Sequence, residues 1–299
     1  MAPMSKTLAP SIVTSRDPKG LKFISIPAAA YDKAKLSEEE AQRVNDTPGL
    51  AELIGNFIAE NRQSNKYKDE EKKSNYGYRS GYRKPVEISD MIDILRSHWG
   101  NINPDPAIRF MKEVYPTLQF QDWSEGPFVI IRPGFFSDKY SEEVEEIFKA
   151  LAKDLKGKFW NCYESQLGPQ YLRQSERTLE KLGILVQKQP GSDLIVVSGQ
   201  FGIHHAGRSV RRVREIYIAP EFGPGGKDGG TMLLTNPIRL KSYGDLWIDL
   251  PGDEVSPGAV GAFGSAPYFR FNDDGVKFSS VKVDSADDYC GSASLLLPQ

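Results

Sequence analysis

Short aliphatic runs alternate along this chain with segments whose apolar residues recur every three or four positions, the periods of buried strands and one-sided helices. Phe128-Val-Ile-Ile131, closed by Arg132-Pro133-Gly134, reads as a strand and its turn. Val144, Ile147, Phe148, Leu151 and Leu155 then share one side of a helix that Ser141 opens and Gly157 ends. Phe159–Tyr163 is strand-like, and Pro169–Leu182 is helix-like with Leu172, Leu179 and Leu182 inward. Leu194–Ser198 is the clearest buried strand. Val210, Val213 and Ile216 make a helix of Arg208–Ile216, and Thr231–Leu240 fits another. Leu246–Asp249 is strand-like, and Phe269–Val283 fits a hairpin turning at Asn272-Asp-Asp-Gly275. This alternation predicts an α/β fold: a mostly parallel or mixed sheet, helices on both faces and a C-terminal β-hairpin.

Two helices precede that core, one from Ser89 with Met91 or Ile92, Leu95 and Trp99 inward, one from Asp105-Pro106 with Ile108, Met111 and Tyr115 inward. Near the N-terminus the run Phe23-Ile-Ser-Ile26 suggests a strand. Ser37-Glu-Glu-Glu40 is a capping box, and Thr47-Pro48 opens a helix striped by Leu50, Leu53, Ile54, Phe57 and Ile58. Residues 1–61 therefore read as a helical arm. From Arg62 to Lys84 eight basic residues face three acidic ones, aliphatic residues are missing, and Tyr67, Tyr76, Tyr78 and Tyr82 are interleaved. A segment with so little to bury predicts a basic linker or mobile loop over 62–85, leaving 86–299 as the α/β domain.

The 299 residues carry a net charge of −2, with 39% hydrophobic and 26% charged residues, a balance that fits neither a disordered nor a membrane-spanning chain. Two isolated cysteines, Cys162 and Cys290, with no C-x-x-C partner, give little support to a disulfide scaffold or a thiolate zinc site. The opening Met1-Ala-Pro-Met-Ser-Lys lacks a signal's apolar core, so the expected location is cytoplasmic, away from membranes.

Ligands of open α/β sheets bind at the carboxyl ends of the strands, and two such ends carry candidate chemistry. After Leu194–Ser198, the stretch from Gly202 to Gly207-Arg208-Ser209 has the form G-x-x-x-x-G-R-S. It resembles the phosphate loop of nucleotide hydrolases, with Arg208 where lysine is usual. The helix behind it adds Arg211, Arg212 and Arg214, so a phosphate-bearing ligand, and nucleic acid above all, is the leading expectation. The second end offers Asp249, Asp253 and Glu254, carboxylates suited to Mg²⁺, with His204 or His205 as ligand or base and Asp249 in a catalytic role. That set predicts a metal-dependent phosphoester hydrolase. The third alternative is a structural protein without chemistry, whose arm and linker clasp another subunit. Each expectation requires the two ends to share an edge and the arginines to be available.

Overall fold

Seven consecutive buried residues, Leu194–Gln200, form strand β4, which has β1 (Gly126–Ile131) on one side and β11 (Ser294–Leu296) on the other. β5 (Glu221–Phe222) completes the sheet beyond β11, in the order β1-β4-β11-β5, and every pairing is antiparallel. In this computed structural model residues 14–50, 53–55, 58 and 66–298 are described, and the chain divides into two units, Met1–Gln63 and Ser64–Gln299.

The second unit holds another sheet of seven strands. Its path is β10 (Cys290–Ser292), β6 (Trp247–Asp249), β8 (Ser265–Asn272), β7 (Asp253–Val255) and β3 (Leu172–Gln174). β9 (Gly275–Lys282) joins β8 to β2 (Phe159–Asn161). Only β10·β6 and β2·β9 run parallel, so the mixed sheet is the arrangement found. β8 and β9 form the C-terminal hairpin in the expected register, Asn272 opposite Gly275. Asp273 and Asp274 both take positive φ, 48° and 64°, the twist a two-residue turn needs to match its strands.

The helices of this unit are α3 (Ile88–His98), α4 (Asp105–Glu113), α5 (Tyr140–Asp154), α6 (Glu176–Lys188), α7 (Val210–Ile216) and α8 (Gly226–Thr235). Met91, Ile92, Leu95, Val144, Ile147, Leu151, Val210, Val213 and Ile216 are buried as their spacing requires. Three readings change. Leu172 lies in β3, because the helix starts only after Ser175, whose side chain accepts the Thr178 N–H; Leu179 is then 54% exposed. α5 starts two residues earlier than a Ser141 cap would give, after Lys139, and Ser141 does not cap it. Gly223–Gly230, glycine-rich enough to read as a flexible connection, largely becomes α8, in which all ten residues are buried. Close packing explains the glycines: a Cβ on Gly229 would stand 2.3 Å from Leu250 Cδ2.

Residues 66–85, read as a linker, are fastened to the second unit. Tyr82 is 2% exposed, and bridges pair Glu71 with Arg208 and Gly77 with Asp245. Tyrosines and ion pairs replace the missing aliphatic contacts. Residues 62–65 lie outside the described part of the chain.

In the first unit, α1 (Pro18–Ala34) includes Phe23–Ile26, so that run is helical. The capping box at Ser37 is present, and α2 (Glu38–Asp46) follows it. Neither helix contains a buried residue, and Leu50, Leu53 and Ile58 are exposed; Phe57 lies outside the described residues. Among the described residues no helix is long and apolar enough to cross a membrane.

Candidate functional site

A glycine loop holds an anion only if its backbone N–H groups are unclaimed. From Gly202 to Ser209 each has a partner inside the protein. Gly202 and His204 donate to Gln200 Oε1, Ile203 to the Tyr78 hydroxyl, and His205 to Gly202 O. Ala206 donates to Ile203 O, Gly207 to Cys290 O, Arg208 to His205 O and Ser209 to Glu70 O. Gly207 is needed for an approach rather than a cradle: with φ 80°, a Cβ there would meet Lys72 O at 2.0 Å. The loop is a packing joint between β4, β10 and the Tyr-rich segment.

The arginines are engaged as well. Arg211 grips the Glu70 carboxylate through Nε at 2.7 and 2.8 Å, with Nη2 on the same group. Arg212, its side chain 3% exposed, pairs with Glu71 and donates to Lys66 O at 2.9 Å. Arg214 donates to Pro251 O at 3.0 Å and Asp253 O at 2.7 Å. Ser209 caps α7 by accepting the Arg212 N–H, and its hydroxyl donates to Glu70 at 2.6 Å. Glu70 and Glu71 thus neutralise Arg211 and Arg212 of the basic helix. Nothing in residue spacing shows this, because the partners are about 140 positions apart in sequence.

His204, His205 and Glu221 form the one cluster of possible metal ligands among the described residues, with ligand atoms within 4.8 Å of one another. Glu221 comes from β5, and no local pattern in the sequence singles it out. His205 Nε2 lies 2.7 Å from Glu221 Oε1, both side chains 2% exposed, while Arg208 Nη1 is 3.0 Å from His205 Nδ1. Arginine only donates, so Nδ1 is the acceptor and Nε2 carries the hydrogen to Glu221. Burial pushes the His205 pKa down more than its bond to Glu221 raises it, so the ring is neutral. Burial alone would raise the Glu221 carboxyl, but hydrogen bonds to it, first that from His205, help hold its pKa below the ordinary carboxylate value. His204 lies flat on Trp123, ring centroids 4.2 Å apart, and burial lowers its pKa to about 4.

This arrangement does not fit a metal bound by all three residues. A metal on Nε2 would require the proton to sit on Nδ1, and Nδ1 faces a guanidinium that cannot accept it. A metal on Nδ1 would have to take the place of Arg208, which also donates to His204 O at 3.1 Å and stands 3.7 Å from Glu71. A fixed cation of the chain already occupies that position.

The acidic trio also separates. Asp253 accepts the Tyr140 hydroxyl at 2.8 and 2.9 Å and the Gly226 N–H at 2.7 Å, beneath the start of α8. Glu254 pairs with Arg173 at 2.8 Å. Asp249 is buried in the sheet, with Oδ1 unpartnered, near Asp287. Burial raises the pKa of both Asp249 and Asp253 to about 7. Asp228 in α8 is fully buried, and burial raises its pKa to about 6. No protein-family model, curated protein or solved structure matches the chain.

Proposed function

We propose that this protein has a structural, partner-binding role, and that its N-terminal helical unit pairs with the same unit of a second copy. One observation carries this reading. α1 and α2 bury none of their residues, while Leu21, Ile24, Ile26, Val44, Leu50, Leu53 and Ile58 in the same unit are between 41% and 69% exposed. A nine-residue helix such as α2 is marginal alone in water, and helices in proteins draw most of their stability from burying an apolar face.

Charge favours a second copy as the occupant. α1 carries Lys19, Lys22 and Lys33 against Asp32, whereas α2 carries Glu38, Glu39, Glu40 and Asp46 against Arg43. A two-fold pairing sets the basic helix of each copy on the acidic helix of the other, and so satisfies both at once. The phosphate and metal readings draw less support, since their arginines, loop N–H groups and imidazole nitrogens are engaged within the fold.

Light scattering on the full chain tests the proposal. The expected mass is twice the 33.4 kDa of one chain, falling to a single chain in Leu21→Asp/Ile24→Asp. A monomer at tens of micromolar, or a dimer that the double substitution leaves intact, overturns it.

A further inference from the structure

On the far side of the second sheet, Trp160 stands on the edge strand β2, which pairs only with β9. An indole is costly to leave in water, yet this one is 42% exposed. Its place is set by backbone. A Cβ on Gly275 would lie 2.4 Å from Trp160 Cζ3 and 2.8 Å from Cη2, so the ring rests directly on the hairpin, where only glycine leaves room. Trp160 lines two clefts, of about 460 and 500 Å³, each of a size to hold a small ring. Asn161, Glu164 and Ser165 provide polar groups in one, and Asn272, Asp273 and Lys277 in the other. Ser165 holds a left-handed φ of 64°, an uncommon conformation for a residue with a side chain.

The chemistry of these walls selects the ligand. Glu145, Glu164 and Asp273 outnumber Lys149 and Lys277, and Lys149 is paired with Glu146, so the walls offer no excess of positive charge to hold a phosphate-bearing ligand. What remains is an exposed, rigid aromatic face bordered by carboxylates and amides. Carboxylates accept from hydroxyls, Asn161, whose Oδ1 takes the Tyr163 N–H at 2.9 Å, offers its amide N–H, Asn272, whose Nδ2 bonds Asp273, offers its amide oxygen, and the indole face takes the C–H side of a ring. From this combination we infer that Trp160 is the stacking platform of a binding site for a neutral oligosaccharide, with neighbouring sugar rings in the two clefts.

Calorimetric titration with cellohexaose, maltohexaose and chitohexaose, and with AMP as an anionic stacking control, tests it. At least one hexasaccharide is expected to bind in the micromolar to millimolar range, and Trp160→Ala to weaken it at least about tenfold. Trp160→Phe keeps a smaller aromatic face and is expected to retain part of the affinity. Unfolding temperatures of both variants confirm that the folded protein is compared. The inference is overturned if no hexasaccharide binds at millimolar concentration, if folded Trp160→Ala binds as wild type does, or if AMP binds more tightly than the sugars.

Discussion

Two buried charged regions of the second unit solve the same problem in opposite ways. Around α7, each arginine meets a carboxylate or carbonyl: Glu70 with Arg211, Glu71 with Arg212, and Arg208 between His205 and Glu71. Beneath α8 and in β6, Asp228, Asp249 and Asp253 lie fully buried with no cation bonded to them. The first region remains charged because its ions are paired. In the second, burial raises the carboxyl pKa values to about 6 for Asp228 and about 7 for Asp249 and Asp253, and protonation below that range relieves the cost, since an isolated carboxylate is far more expensive to bury than a carboxylic acid. Charge in a protein interior therefore marks a site only where partners are lacking, and the arginine helix does not meet that condition.

The largest effect is expected at the ion pair inside the second region, at the start of α8. Lys227 is 1% exposed and bonded at 3.3 Å to Glu143, itself 5% exposed. Lys227→Met removes the cation and leaves the carboxylate buried, so urea unfolding is expected to show a loss of about 3–5 kcal/mol. Glu143 also accepts the N–H groups of Gly134 and Phe135. A loss below about 1 kcal/mol would place this pair with the proton-holding region instead.

pH separates the two regions next. Asp228, Asp249 and Asp253 hold protons more tightly folded than unfolded, with pKa values raised to about 6, 7 and 7. Their contribution is fully present below about pH 4 and is lost as pH rises through about 6 to 7, at up to about 1.4 kcal/mol per pH unit for each carboxyl while it titrates. Wild type is therefore expected to unfold at lower urea at pH 8 than at pH 6. Asp249→Asn, which needs no proton, is expected to flatten that slope and to be the more stable protein at pH 8. A wild-type stability that rises between pH 6 and pH 8 would contradict this.

Smaller effects probe the paired region. Ser209→Ala removes both the α7 cap and a bond to Glu70, with an expected cost of about 1–2 kcal/mol. Arg211→Ala, at a side chain 38% exposed, is expected to lower stability less than Ser209→Ala does. The salt-dependent affinity of this variant for an oligonucleotide, read by fluorescence anisotropy, is expected to equal that of wild type. A loss of affinity without a loss of stability would return Arg211 to the role its sequence suggests.

Apolar periodicity and turn chemistry were enough to locate β1, β4, β6, the β8–β9 hairpin, most of the helices and the Ser37 capping box. These depend on residues within a few positions of one another, and short-range sterics and hydrogen bonding decide them. The interval Gly223–Gly230 misled because glycine looks the same whether it serves a mobile loop or a helix pressed against Leu250. The Tyr-rich segment misled because its stabilising contacts are to Arg208, Gly207, Asp245 and Glu125, all distant in sequence.

Sequence alone determined the α/β class, the hairpin and its turn, the buried faces of α3, α5 and α7, and the apolar content of the N-terminal arm. Tertiary structure alone decided strand order, the antiparallel pairing of the first sheet, and the meeting of His205 with Glu221. It also decided that the arginines of α7 are neutralised from within. Local propensity acts over one turn or one strand, whereas the partner of a buried charge is chosen by which distant segments pack together.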